Sequence, residues 1–118
     1  SKLFTFNKRK LTDALERIAV LADQQSSVVK FKLDENDIAS ISADAQDIGS
    51  AIESIPVSYS GEKFDIAFNV RYLLEGLKVI SCDNVVLKCN LSTTPAVFVP
   101  EDNLNSFTYL VMPVQVRS

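Results

Sequence analysis

Phe68-Asn69-Val70-Arg71-Tyr72-Leu73-Leu74-Glu75-Gly76-Leu77-Lys78-Val79-Ile80 reads as the end of a strand, an Asn cap and an amphipathic helix. Asn suits the cap because its side-chain oxygen accepts from the free N–H groups of a first helical turn. Leu73, Leu77 and Ile80 follow at helical spacing as one apolar stripe. The pattern occurs earlier too: Phe6-Asn7-Lys8-Arg9-Lys10-Leu11 shares its Phe, Asn, Arg and Leu with Phe68-Asn69-Val70-Arg71-Tyr72-Leu73. The register continues without a gap, Leu15 falling on Leu77, Ile18 on Ile80 and small Ala14 on Gly76. The chain therefore reads as one domain of two copies of a strand–Asn–helix unit, spanning roughly 2–60 and 62–118.

Outward from the two helices, alternating apolar residues mark strands. Leu3 to Phe6 leads into a helix over Lys8 to Ala22, with Leu11, Leu15, Ile18 and Ala22 on its buried side. Val29, Phe31 and Leu33 alternate with Lys30 and Lys32 in the next strand. Ile38 to Ala43 returns, and Asp44 to Asp47 reads as polar loop. Ile48 to Tyr59 is a long strand with Ile55, Val57 and Tyr59 on one face, and Pro56 places it at an edge or a bulge. The second unit runs through a strand over Phe64 to Phe68, a helix over Asn69 to Ile80, and strands over Val85 to Leu91, Ala96 to Val99 and Phe107 to Met112. Each half is thus βαβββ in an α+β fold. Two helices pack on one side of strands that pair antiparallel through short turns.

Composition narrows the function. The 118 residues are 47% apolar, with no run approaching the ~20 residues of a membrane span. The start at Ser1, almost directly into a strand, suggests a piece of something longer. Cys82 and Cys89 supply neither a disulfide framework nor zinc spacing, which points to an intracellular location. There is no His, so the commonest general base and transition-metal ligand is missing. Gly-rich phosphate loops and nucleophile elbows are missing as well, and Asp44 with Asp47 reads as a solvated pair. These absences argue against an enzyme and against any catalytic, cofactor or metal site. An independent RNA- or single-strand-binding module is the alternative, but Lys30-Phe31-Lys32 is too short for its aromatic signature.

The charge distribution says more than the net −3. Lys8, Arg9, Lys10 and Arg17 outweigh Asp13 and Glu16 on the first helix, and Arg71 and Lys78 outweigh Glu75 on the second. The helices together carry +3, which leaves −6 elsewhere. Lys8, Arg9 and Lys10 also lie in a first turn, where the helix dipole favours anions. A bias against helix stability in both units points to a polyanion facing the helices. Val20 and Leu21, off the apolar stripe near a helix end, suit a partner surface. Apolar residues also continue past Pro113 through Val114 and Val116 almost to the chain end, where termini are ordinarily polar. Pro113 is expected to turn that segment outward, as the wall of a peptide groove.

Three stretches, FNVRYLLEGL, YSGEKFDIAFN and YLVMPV, resemble the third, C-terminal domain of the bacterial beta sliding clamp, the processivity factor of DNA polymerase III. The resemblance spans essentially the whole chain and about the last third of the family's usual length. It implies a clamp-like fold with a pseudo-twofold axis between the repeats. It also implies a ring of two three-domain subunits joined head to tail, a homodimer whose helices face encircled duplex DNA in the bacterial cytoplasm. The implied partners are the polymerase III catalytic subunit, the clamp loader and repair polymerases, held through peptides such as Gln-Leu-x-Leu-Phe. The matching pocket positions are Asn69, Tyr72, Thr93, Pro95, Leu110, Val111, Met112, Pro113, Val114, Gln115 and Val116. Val20 and Leu21 match the part of the helix that meets the other subunit. Departures are Ser26 where relatives often carry a large aromatic, Gln115 where many carry Arg, and Arg117-Ser118 past the usual end.

Overall fold

The computed structural model describes residues 2–23, 27–33, 37–45, 49–59, 62–102 and 108–114. The elements run β1 (Lys2–Asn7), α1 (Lys8–Ala22), β2 (Val28–Leu33), β3 (Ile38–Ala45), β4 (Gly49–Pro56), β5 (Phe64–Asn69), α2 (Val70–Lys78), β6 (Asn84–Cys89), β7 (Ala96–Pro100) and β8 (Tyr109–Val111). Each half is βαβββ, as its hydrophobic pattern predicts.

Asn7 and Asn69 cap their helices as expected. Each stands in extended backbone, and its side chain accepts from Lys10 N at 3.0 Å or Arg71 N at 2.9 Å. Neither first turn contains an acid. The second helix is shorter than the predicted Asn69 to Ile80. The N–H groups of Val79 and Ile80 reach back only three residues, to Gly76 and Leu77, which tightens the last turn and ends the helix. Strand ends shift too. Asp44 and Ala45 extend β3 rather than opening a loop, while β6 stops at Cys89, short of Leu91. β4 stops at Pro56, which lacks the N–H to continue a ladder, and β4 is an edge strand. Val57 and Tyr59 beyond it are nevertheless buried, as is Ile55. Gln46, Asp47, Ile48 and Phe107, expected in loop or strand, lie outside the described residues, and β8 spans three residues.

The strands form two four-stranded antiparallel sheets, ordered β1-β6-β7-β8 and β4-β3-β2-β5. The halves thus exchange first strands. β1 pairs with β6 of the second half, and β5 with β2 of the first. Sequence reading, which pairs neighbours through short turns, does not reach this. The two exchanges match register for register: Asn7 faces Asn84 as Asn69 faces Val28, and Lys2 faces Cys89 as Phe64 faces Leu33. Equivalent hydrogen bonds seat the helices, from Lys8 N to Asp83 O and from Val70 N to Ser27 O, both 2.8 Å.

α1 lies against β3 and β4, α2 against β5 and β8, and the helices touch each other. Lys8 Nζ donates to the carbonyl of Ile80, and Arg71 pairs with Asp23. The start of α1 thus meets the end of α2 and the reverse, so the helices run antiparallel. Between helices and sheets, Phe31 stands edge-on to both Phe6 and Phe68, at centroid distances of 6.1 and 6.0 Å.

Candidate functional site

The tail does not turn outward at Pro113. From β8 the chain crosses to the other sheet, where Val114 N donates to Ala67 O at 2.7 Å on β5. This repeats the first half, where Ser58 and Thr5 exchange both backbone bonds, at 2.9 and 3.1 Å. Half-buried Val114 therefore has a structural reason to be apolar.

Along β8 the side chains alternate. Val111 is 2% exposed and belongs to the core, because it points to the helix-covered face; it does not offer a surface, whereas its neighbours Leu110 and Met112 are 61% and 57% exposed. Tyr72, in the first turn of α2, is 55% exposed. Thr93 and Pro95 are exposed just before β7, and Pro113 is half-buried. Ala96 pairs with Val111, so Pro95 comes opposite Met112. Asn69 is half-buried, with its oxygen committed to the cap. Gln115 and Val116 lie outside the described residues.

Tyr109, which sequence reading missed, ties α2 to this strand. A Cβ built on Gly76 would lie within 3.0 Å of three carbons of the Tyr109 ring, so the bare helix backbone at Gly76 is what admits the ring. Burial, then the nearby Glu75 and Tyr72, raise the Tyr109 hydroxyl above its ordinary pKa. A glycine in the middle of a helix, which costs about 1 kcal/mol against Ala, was the available signal.

The six basic residues separate. Arg17 donates to Glu53 through Nε at 3.1 Å and Nη2 at 2.8 Å, and that hydrogen bond raises its pKa further. Arg71 is taken by Asp23, which also accepts from Ser27 Oγ at 2.8 Å. Half-buried Lys8 is spent on Ile80. Arg9, Lys10 and Lys78 are exposed, without an ion pair among the described residues. Val20 is 70% exposed, whereas Leu21 is half-buried. Val20 lines a groove of about 460 Å³ between the helices, together with Glu16, Arg71, Leu74, Glu75 and Lys78. Among the described residues no cluster of His, Cys, Asp or Glu could hold a metal, and no helix is long and apolar enough to cross a membrane.

Residues 1–115 match the family described as DNA polymerase III beta subunit, C-terminal domain. A beta sliding clamp of Synechococcus elongatus is 47% identical over 113 residues, which are 95% of this chain and 30% of that protein. The DNA polymerase III beta subunit of Thermotoga maritima, solved as a crystal structure, superimposes with a TM-score of 0.93 at 27% identity, over 98% of this chain and 31% of that one. The DNA polymerase sliding clamp of Pseudomonas aeruginosa, crystallised with a ligand, gives 0.92 at 30% identity with the same coverage. The chain therefore spans about a third of the length of the relatives it matches.

Proposed function

The chain belongs to the DNA polymerase III beta subunit family, as its C-terminal domain, and from that premise we propose that it is a non-catalytic part of a replication clamp. In this reading two three-domain subunits close head to tail around duplex DNA, in the cytoplasm. The ring slides without reading sequence and tethers the polymerase, the clamp loader and repair polymerases. Holding by topology needs no strong affinity, which fits a helix surface where half of the six cations, Lys8, Arg17 and Arg71, already have partners. Arg9, Lys10 and Lys78 are the cations left to meet phosphates, and such contacts weaken with salt. Val20, with Leu21 beside it, would bury apolar area against the other subunit.

The observation that carries the tethering role is the exposure of Tyr72, Leu110 and Met112 around the α2–β8 junction. Large apolar side chains at a rigid corner are what a short peptide with Leu and Phe anchors needs, each buried anchor gaining about 1.5–3 kcal/mol before ordering costs. Pro95 and Pro113 widen that surface, and Thr93 stands at its margin. Titrating the isotope-labelled chain with a Gln-Leu-Ser-Leu-Phe peptide tests this. Amide shifts should cluster at Tyr72, Leu110 and Met112. Shifts confined to Arg17 and Lys78 on the helices would overturn the assignment.

A further inference from the structure

The matched registers carry the Tyr72–Met112 corner onto a second place in the molecule. β1 maps onto β5, β2 onto β6 and β4 onto β8, so Asn69 corresponds to Asn7, Tyr72 to Lys10, Leu110 to Ser54, Met112 to Pro56 and Val114 to Ser58. The turn before β7 corresponds to the turn before β3, which puts Asp37 in the place of Thr94 and Ile38 in that of Pro95. Exposure follows the same map. Lys10, Ser54 and Pro56 are exposed like Tyr72, Leu110 and Met112, and Ile55 is buried like Val111. The structure contains a groove of about 500 Å³ there, lined by Asn7, Lys10, Asp37, Pro56, Ser58 and Glu101 among others. It shares no residue with the first corner.

The backbone is repeated, but the chemistry is not. None of the residues lining this groove is a large exposed apolar side chain, and only Ile38 beside Pro56 is one, 41% exposed, so Leu and Phe anchors meet far less apolar surface than at the first corner. Asp37 and Glu101 are exposed, and neither has an ion pair among the described residues. Asp37 is anchored through its backbone, and Glu101 through backbone and side chain. The Asp37 carbonyl accepts from Val57 N at 2.9 Å, which ties its turn to the groove floor. Glu101 donates its N–H to Asn84 O at 3.1 Å and accepts from Asn84 Nδ2 at 3.0 Å. Two carboxylates against the single ammonium of Lys10 disfavour a nucleic acid and favour a cation.

From this groove and its relation to the peptide corner, and so resting in part on the reading above, we infer that the protein has a second docking site, for an extended peptide segment carrying an Arg or Lys side chain. The segment lies over Pro56 and Ser58, with its cation between Asp37 and Glu101. A guanidinium suits this because it forms directional bonds to two carboxylates at once.

Amide shifts of the labelled 118-residue chain at low salt, titrated with the capped peptide Gly-Ser-Arg-Ser-Gly, test the site. A Gln-for-Arg control and the Gln-Leu-Ser-Leu-Phe peptide run in parallel. The Arg peptide should move Asp37, Val57, Ser58 and Glu101 saturably and leave Tyr72, Leu110 and Met112 still. Asp37→Asn with Glu101→Gln should weaken it about tenfold, whereas Lys10→Glu should tighten it about threefold. Asn accepts the left-handed backbone of Asp37, where φ is 58°, so the first variant keeps the turn. A gain in affinity from Lys10→Glu cannot arise from misfolding. Equal binding of the Gln control, shifts spread evenly over other exposed acids such as Glu16 and Glu75, or no tightening by Lys10→Glu would each overturn the inference. Silence at Tyr72 and Met112 with binding at Asp37 would sink the peptide reading of the first corner and leave this one standing. The reverse pattern would sink this one alone.

Discussion

The corner at Asn7 and the corner at Asn69 share a skeleton and differ in surface. Both have an Asn cap, a 2.8 Å bond seating the helix, six matched residue pairs along one strand pairing and a closing bridge at Ser58 or Val114. The exposed positions hold Lys10, Ser54 and Pro56 in one and Tyr72, Leu110 and Met112 in the other. Caps, bridges and buried strand faces fix the backbone, and the exposed side chains are then free to diverge without cost to the fold. The likeness of two halves is thus evidence about architecture, and their difference is evidence about binding.

The core departs from the symmetry at Phe31, whose mate is Leu87. Phe31 touches Phe6 and Phe68, which are themselves mates, so one ring serves both halves. Phe31→Ala should cost about 3–5 kcal/mol, near the upper end for core truncations, because its space is closed by two other rings. Leu87→Ala should cost less. Urea midpoints of the two variants give the comparison, and equal losses would show that Phe31 holds no special place. Because β1 and β5 are exchanged, each variant should unfold in one transition reported alike by both halves.

Next in size is the pair Ala14 and Gly76, mates on the two helices. Helix propensity alone says that Gly76→Ala stabilises by about 1 kcal/mol. The Tyr109 ring under Gly76 says the reverse, since the added methyl must displace it, and overpacking of this kind costs about 1–3 kcal/mol. Ala14 is fully buried, and Ala14→Gly should lose about 1 kcal/mol through helix entropy. The two exchanges run in opposite chemical directions and both should destabilise. A raised urea midpoint for Gly76→Ala would mean that the ring moves aside freely. If the ring does shape the peptide corner, Gly76→Ala should also change the shifts of Tyr72 on peptide addition.

The caps come third. Asn7→Ala and Asn69→Ala should each cost about 1 kcal/mol, and by similar amounts because the geometry is the same. α2 is the shorter helix, at 9 residues against 15, so a larger loss at Asn69 would show that length makes the cap matter more.

These elements show what the sequence reveals. Asn7, Asn69, the stripe from Leu11 to Ala22 and the alternation in Val29, Phe31 and Leu33 are local signals, and each element formed close to where periodicity puts it. The strand exchange is not local. Nothing in Leu3 to Phe6 says that its partner lies more than seventy residues on, in Asn84 to Cys89. At the candidate peptide corner, the apolar character of residues 110 to 114 is plain in the sequence. Which of them face outward depends on the register of β8 against β7, so Val111 could not be separated from Leu110 and Met112 beforehand. For the same reason the engagement of Arg17 by Glu53 and of Arg71 by Asp23 escaped a reading based on helix charge. Both pairs join residues distant along the chain.

The smallest effect concerns Cys89, whose mate is the buried Leu33. A thiol in a leucine's place stays protonated. Burial pushes its pKa up to about 12 from the ordinary 9.0, and the nearby Lys2 offsets this only in part. An acid with a raised folded pKa leaves stability untouched below its unfolded value. Above that value the unfolded chain releases the proton and the folded chain keeps it, so stability falls as pH rises from about 9 towards 12. Tyr59 and Tyr109 are shifted the same way but start from 10.0, which makes the interval from pH 9 to 10 the thiol's own among these three groups. Cys89→Ala will lower stability at every pH through lost packing, so the slope is the informative quantity. Between pH 9 and 10 the urea midpoint should fall more steeply for the parent chain than for Cys89→Ala. Parallel slopes would show that the thiol ionises as readily folded as unfolded, and that this position is less closed than its mate at Leu33.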